Sequence, residues 1–118
     1  MNEVEAAWAA GIFEGEGCFG VYPNGGGYWK PVTKVEMTDE DVVGRFHALT
    51  GFGNVYAKAG RGGRKDSWVW LASKWDDTVS LVSALLPHLG GRRSAAALNI
   101  LWTNMYGRRG IAVPVDKG

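Results

Sequence analysis

Apolar residues recur at helical spacing in four segments of the chain and alternate with polar residues in four others. The helical spacing predicts helices over residues 4–13, from Thr38 to near Gly51, from Ser73 to near Leu86, and over about 93–106. The alternation predicts strands over residues 18–22, 28–37, 53–58 and 67–72. The predicted order is α-β-β-α-β-β-α-α. No linker interrupts it, so we predict one α+β domain over residues 1–106 and a loosely held tail over residues 107–118.

Turn and capping residues set the predicted boundaries. Gly11, Gly15 and Gly17 are expected to break up the first helix. Thr38 is expected to cap the second helix, and Ser73 the third. The Asn-Gly-Gly-Gly run at residues 24–27 predicts a tight turn between the first two strands.

Composition narrows the class of protein. The chain of 118 residues is 46% hydrophobic and 21% charged, which excludes a disordered or fibrous chain. Its one cysteine, Cys18, excludes a disulfide framework and is expected to be at least half-buried. No apolar run is long enough for a membrane helix, and the acidic N-terminus differs from a signal peptide. We therefore expect an intracellular protein, in the cytoplasm, nucleoid or an organelle, without a membrane partner.

Charge is unevenly distributed along the chain although the net charge is only +1. Acidic residues concentrate within the first 41 positions, and basic residues follow later in short clusters. A nearly neutral protein can still have a basic face when its acidic residues lie elsewhere. The charge balance therefore permits a nucleic-acid partner without requiring one.

A stripe of very small residues runs along the first predicted helix. Ala7, Gly11 and Gly15 are spaced four apart and so share one helix face. Small side chains let another backbone approach closely. This backbone belongs either to the protein's own sheet or to the same helix in a second copy of the chain.

Two carboxylates, those of Glu14 and Glu16, stand where this helix ends. Negative charge at a helix C-terminus is unfavourable by roughly 0.3–1 kcal/mol at an exposed site. The two side chains are either simply solvated or compensated by a positive group. A divalent cation such as magnesium suits oxygen ligands of this kind.

The segment that joins these features resembles a known family signature. Residues 9–17, Ala-Ala-Gly-Ile-Phe-Glu-Gly-Glu-Gly, with Trp8 before and Cys18-Phe19 after, resemble the motif of the LAGLIDADG homing endonucleases. Residues 35–39 are similar to the family's second-strand exit, and residues 86–93 to its later basic motif. The resemblance covers roughly residues 6–106. It implies an αββαββα saddle with a four-stranded antiparallel sheet, plus a C-terminal helix.

The resemblance also implies a function. A single-motif member is a homodimeric endonuclease that hydrolyses both strands of a long, near-palindromic duplex DNA site with Mg²⁺ or another divalent cation. Glu16 matches the catalytic metal ligand, and Arg92 matches a basic residue beside the scissile phosphate. The dimer would form through the first helix, at Ala7, Gly11, Glu14 and Gly15.

Strand alternation predicts which side chains face DNA. Trp68 and Trp70 are expected to enter the core, which leaves Val69 and Leu71 outward. Polar side chains on the outward positions and the connecting turns suit base reading and phosphate contact. These candidate DNA-binding residues are Tyr22, Asn24, Tyr28, Lys30, Lys34, Glu36, Asn54, Tyr56, Lys58, Arg61, Arg64 and Lys65.

Two departures from the family pattern keep other functions open. Met37 lies near a position where family nucleases often have a polar residue that orders water, and Arg92 replaces a common lysine. Arginine retains the phosphate-binding charge but loses a proton less readily than lysine. The alternatives are a cleavage-incompetent DNA-binding regulator and an RNA-binding factor that assists intron splicing.

Overall fold

The computed structural model describes residues 1–107. They form four α-helices, one 3-10 turn at Leu86–His88 and four strands. The helices are α1 (Glu3–Glu16), α2 (Glu40–Thr50), α3 (Trp75–Leu85) and α4 (Gly91–Tyr106). The strands are β1 (Gly17–Pro23), β2 (Trp29–Met37), β3 (Asn54–Lys58) and β4 (Ser67–Ala72). The predicted α+β class and element order are confirmed, whereas the predicted tail lies outside the described residues from position 108 onward.

Helix α1 is longer than predicted because its glycines do not interrupt it. A helix-interior glycine costs roughly 0.5–1 kcal/mol, which packing of the rest of the helix can offset. One face of α1 is buried through Ala6, Ala9, Ala10 and Phe13. The helix therefore continues to Glu16 and ends only at Gly17.

The predicted caps of α2 and α3 are wrong. Asp39 and Lys74 occupy the N-cap positions instead of Thr38 and Ser73, and neither makes a side-chain capping hydrogen bond. Asn2, in contrast, caps α1 in a capping box with Glu5. Glycine at the end of α2 behaves as predicted, since Gly51 takes a left-handed conformation at φ 76°.

The four strands form one antiparallel sheet in the order β1-β2-β4-β3. The two ββα units therefore meet where β2 pairs with β4, with Val35 opposite Trp70. Both of these side chains are buried, and helices cover this inner face of the sheet. The other side, here called the outer face, lacks a helical cover among the described residues.

Aromatic rings connect α1 to both halves of the sheet. The Phe13 ring stacks on Phe19 of β1 at a centroid distance of 4.5 Å and contacts Phe46 of α2 at 5.6 Å. Phe46 meets the edge of Trp70 of β4 at 4.8 Å. Aromatic pairs at these distances add to the free energy gained by burial. The position of α1 is thus determined by both ββα units.

Most of the predicted strand orientations are correct. Trp70 is buried as expected, and Trp68 is half-buried against the core. Val69 lies on the outer face, yet it is buried because Glu36 and Tyr56 flank it on the neighbouring strands. The predicted burial of Cys18 is wrong, because its position on the outer face of β1 leaves it exposed.

Within residues 1–107, every helix is too short or too polar to cross a membrane.

Candidate functional site

Glu16 is the last residue of α1, at the point where the chain turns directly into β1. Gly17 makes this junction possible, because a β-carbon there would overlap the ring of Phe13. The Gly17 N–H donates to the Phe13 carbonyl, and Gly17 pairs with Val35 of β2. The core therefore holds the backbone beside Glu16, while the Glu16 side chain remains exposed.

A depression of about 330 Å³ opens beside Glu16. Its lining includes the carboxylates of Glu36 and Asp39 and the hydroxyl of Ser67. Met37 and Thr38 complete it. Asp39 and Ser67 were missed by the sequence reasoning, because Asp39 approaches Glu16 only when β1 pairs with β2, and Ser67 only when β2 pairs with β4.

Glu14 is compensated within the chain. Its Oε1 accepts a 2.6 Å hydrogen bond from the N–H of Gly90, the residue that precedes α4. The N-terminus of a helix attracts an anion through its free N–H groups and its dipole. Glu14 therefore links the C-terminus of α1 to the N-terminus of α4. The negative charge of Glu14 at the C-terminal end of a helix indicated from the sequence that a compensating partner was needed. The sequence could not identify that partner, because Gly90 is 76 residues away.

The stripe of small residues on α1 faces away from the core. Ala7, Gly11 and Gly15 are exposed, and a β-carbon added at either glycine would contact nothing within 4 Å in the described structure. Packing against the protein's own sheet, the first interpretation of this stripe, is therefore excluded. The exposed face continues to Val4, which is 78% exposed.

The outer face of the sheet collects most of the predicted DNA-binding side chains. Those on strands are Tyr22, Lys30, Lys34, Glu36, Asn54, Tyr56 and Lys58. Asn24 and Tyr28 lie instead in the exposed turn between β1 and β2. Gly20 leaves room for the Tyr22 ring, which a β-carbon would approach to 2.5 Å.

Glu36 is the centre of a polar network on this face. Its Oε2 accepts a 2.9 Å hydrogen bond from the Ser67 hydroxyl and lies 3.4 Å from Lys58 Nζ, and its Oε1 lies 3.6 Å from Lys34 Nζ. The Ser67 hydrogen bond, with smaller contributions from the two lysines, lowers the pKa of Glu36 below its ordinary value of 4.5. The carboxylate is therefore ionised at neutral pH.

A basic groove adjoins the depression beside Glu16. It has a volume of about 990 Å³ and is lined by Lys58, Arg61, Arg64 and Lys65. It shares Glu36, Thr38 and Ser67 with the smaller depression. The β3–β4 connection that forms its wall turns at residues 62 and 63, glycines with φ of 61° and 81°. The exposed cations thus continue the outer face toward Glu16.

Arg92 is exposed on the first turn of α4, two residues after Gly90. The hydrogen bond from Gly90 to Glu14 brings this turn to the C-terminal end of α1. The same end of α1 carries Glu16. The fold therefore brings the predicted phosphate-binding cation and the predicted metal ligand to one region.

The Glu16 carboxylate offers oxygen ligands of the type that Mg²⁺ prefers. It has no hydrogen-bond or ion-pair partner among residues 1–107. The same residues hold no group of three or more acidic, histidine or cysteine side chains with metal-binding geometry. One chain therefore fits the role of supplying an open carboxylate to a site completed by other ligands.

Solved structures of homing endonucleases are similar to this chain. The homing endonuclease I-CvuI in complex with its target has a TM-score of 0.72 at 17% identity, over 87% of this chain and 67% of that one. An archaeal intron-encoded homing endonuclease complexed with DNA has a TM-score of 0.70 at 17% identity, over 87% of this chain and 68% of that one. The LAGLIDADG meganuclease I-AabMI, bound to uncleaved DNA, has a TM-score of 0.69 at 14% identity, over 89% of this chain and 36% of that one.

No protein-family model and no curated sequence matches the chain. At these identities the structural likeness establishes the fold, and it confirms the fold predicted from residues 9–17 and their surroundings.

We predict that Ser67→Ala raises the pKa of Glu36 toward 4.5, because it removes the largest stabilising contact of the carboxylate. A carboxyl group whose pKa is lower in the folded than in the unfolded state stabilises the folded protein at pH values above the unfolded-state pKa. This stabilisation is lost as the pH falls through the folded-state pKa. The variant should therefore be less stable than the parent at neutral pH, and the difference in stability should narrow as the pH falls below 4.5. An NMR titration of the carboxyl carbon, with urea unfolding at several pH values, measures both effects. Ser83→Ala, at an exposed position of α3, is the control and should leave the pKa unchanged.

Proposed function

We propose that this chain, whose fold is that of the LAGLIDADG homing endonucleases, is a homodimeric, metal-dependent endonuclease specific for a long, near-palindromic duplex DNA site. The observation that carries the proposal is the position of Glu16. It is an exposed carboxylate without a partner in residues 1–107, at the end of a helix whose exposed face is made of Ala7, Gly11 and Gly15.

The small-residue face supports the dimer. Two copies of α1 packed through Ala7, Gly11 and Gly15 could approach closely, since none of these three residues carries a side chain larger than a methyl group and Glu14 beside them is hydrogen-bonded to Gly90. The two helices would then end side by side and bring one Glu16 from each chain together. Two adjacent carboxylates repel each other unless a cation lies between them. The pair would therefore complete the metal site that a single chain leaves open.

The chemistry of cleavage follows from the residues around Glu16. A divalent cation held by Glu16 would polarise the scissile phosphate and lower the pKa of a bound water. Arg92 contributes a permanent positive charge with a planar fork that suits phosphate oxygens. Gly17 and Phe13 hold the end of α1, so the carboxylate approaches DNA from a rigid element. Rigid placement matters because a small displacement of a catalytic group slows the reaction strongly.

The outer face supports duplex DNA as the substrate. Strands can read base edges in the major groove, where each base pair presents a distinct pattern of donors and acceptors. The exposed lysines of β2 and β3 and the arginines of the β3–β4 connection provide charge for base and phosphate contact. The outer face and Glu16 meet at Glu36 and Ser67, so reading and cleavage would occur on one continuous surface.

The direct test is a selection on randomised palindromic duplexes in magnesium, with the parent chain and Glu16→Gln. We expect the parent to yield cut ends at one enriched motif. Glu16→Gln should bind that motif but cut it roughly a hundredfold more slowly or worse, because it loses a charged ligand of the site. Enrichment of a motif by both proteins without cutting would favour the DNA-binding regulator. Preference for RNA over duplex DNA would favour the splicing factor. Either result contradicts the proposal.

The dimer interface has a separate test in Gly11→Leu. The new side chain has open space in the single chain, and leucine has a higher helix propensity than glycine, by somewhat less than the roughly 0.8–1 kcal/mol that separates glycine from alanine, so the chain should still fold. It should nevertheless block the close approach of two α1 helices and yield monomers in sedimentation velocity.

Gly44→Leu is the matched control, because Gly44 is also an exposed glycine in a helix with no neighbour within 4 Å of an added β-carbon. It should leave the dimer intact. A dimer that survives Gly11→Leu as well as Gly44→Leu would contradict the α1 interface.

A further inference from the structure

Glu36 is an unusual residue for a surface that meets DNA. It is the only acidic side chain on the outer face within the four described strands, and it is surrounded by lysines. A carboxylate repels phosphates and the acceptor atoms on most base edges. A surface selected for DNA affinity alone would have no use for a carboxylate in this position.

The network around Glu36 holds the carboxylate in one orientation. Ser67 on β4 donates to Oε2 at 2.9 Å, across the strand pair that also buries Val69 beside Glu36. Lys34 and Lys58 approach from the two other sides, with nitrogen–oxygen distances of 3.6 and 3.4 Å. Glu36 remains 29% exposed, so its acceptor lone pairs are not all used within the protein. The side chain is thus ordered and still able to accept a hydrogen bond from a ligand.

We infer that Glu36 makes the protein specific for a C·G base pair at one position of each half-site, with cytosine beneath the Glu36 carboxylate. This inference rests on the proposed function and assigns a base to one of its contacts. In the major groove the N4 amino group of cytosine is a donor, and a glutamate accepts from it. The paired guanine presents O6 and N7, two acceptors that suit Lys34 or Lys58. The donor of a C·G pair lies at one end of its row of major-groove groups and the two acceptors lie beyond it, so a carboxylate with a lysine on its guanine side complements this base pair.

The other three bases fit this arrangement less well. Guanine and thymine place acceptors against the carboxylate. Adenine offers its N6 donor, but acceptors lie on both sides of it, its own N7 and O4 of the paired thymine, so the second carboxylate oxygen meets an acceptor; beside cytosine N4 that oxygen can lie over the C5 hydrogen. Displacing Glu36 from an unfavourable base would also break its hydrogen bond with Ser67. Ser67 is therefore a positioning residue that sharpens the discrimination without touching the base.

The test is a binding selection on randomised duplexes without cleavage, comparing the parent chain, Glu36→Gln, Ser67→Ala and Ser83→Ala. We expect the parent to enrich cytosine at one position of each half-site. Glu36→Gln should replace that preference with adenine, since a glutamine amide pairs with adenine N6 and N7. Ser67→Ala should weaken the cytosine preference at the same position by roughly threefold to tenfold and leave other positions unchanged. Ser83→Ala on α3 should reproduce the parent profile.

The possible outcomes distinguish a failure of this inference from a failure of the proposed endonuclease function. A parent motif whose every position survives both Glu36→Gln and Ser67→Ala would overturn the inference and leave the endonuclease proposal standing. A change spread evenly over all positions would also overturn it, because that pattern reports a general loss of affinity or structure. Failure of the parent to enrich any duplex would instead overturn the proposed function.

Discussion

The contact between the Phe13 ring and the backbone of Gly17 is the constraint on which the rest of this structure depends. The ring occupies the space that any side chain at position 17 would need, so the chain can pass from α1 into β1 without a connecting loop. Phe13 also stacks on Phe19 and contacts Phe46, which in turn meets Trp70 of β4. One residue therefore connects α1 to both ββα units. Glu16 lies between Phe13 and Gly17, so the core holds its backbone while its carboxylate is exposed.

Helix α1 serves two surfaces with opposite requirements. Its buried face uses Ala6, Ala9, Ala10 and Phe13 to pack closely on the sheet, while the stripe of Ala7, Gly11 and Gly15 on its exposed face carries no side chain larger than a methyl group. The two carboxylates at its C-terminal end also differ in their surroundings. Glu14 is neutralised by the N-terminus of α4 through Gly90, whereas Glu16 has no partner in the described part of the chain. Two carboxylates two residues apart thus differ in their surroundings, since one is bound within the chain and the other is open.

Local patterns in the sequence were sufficient to predict the order of elements and most of the strand faces. They were insufficient wherever the outcome depends on packing between distant segments. The glycines of α1 do not break it because burial of Phe13 and its neighbours outweighs their low propensity. The partners of Glu14 and Glu36, Gly90 and Ser67, are 76 and 31 residues away, and only the folded sheet and helices bring them close. The approach of Asp39 to Glu16 has the same origin, since both line a depression formed where α1, β2 and β4 meet.

The central claim is that two α1 helices pack together and bring their C-terminal ends side by side. Cys18, the only cysteine, is exposed two residues beyond Glu16 and accepts a nitroxide label without any substitution. The measurement is the label-to-label distance by pulsed dipolar spectroscopy. The account predicts a single distance shorter than 41 Å, the longest dimension of one chain, because both labels would lie near the dimer axis. The absence of dipolar coupling, or a distance longer than one chain, would contradict it.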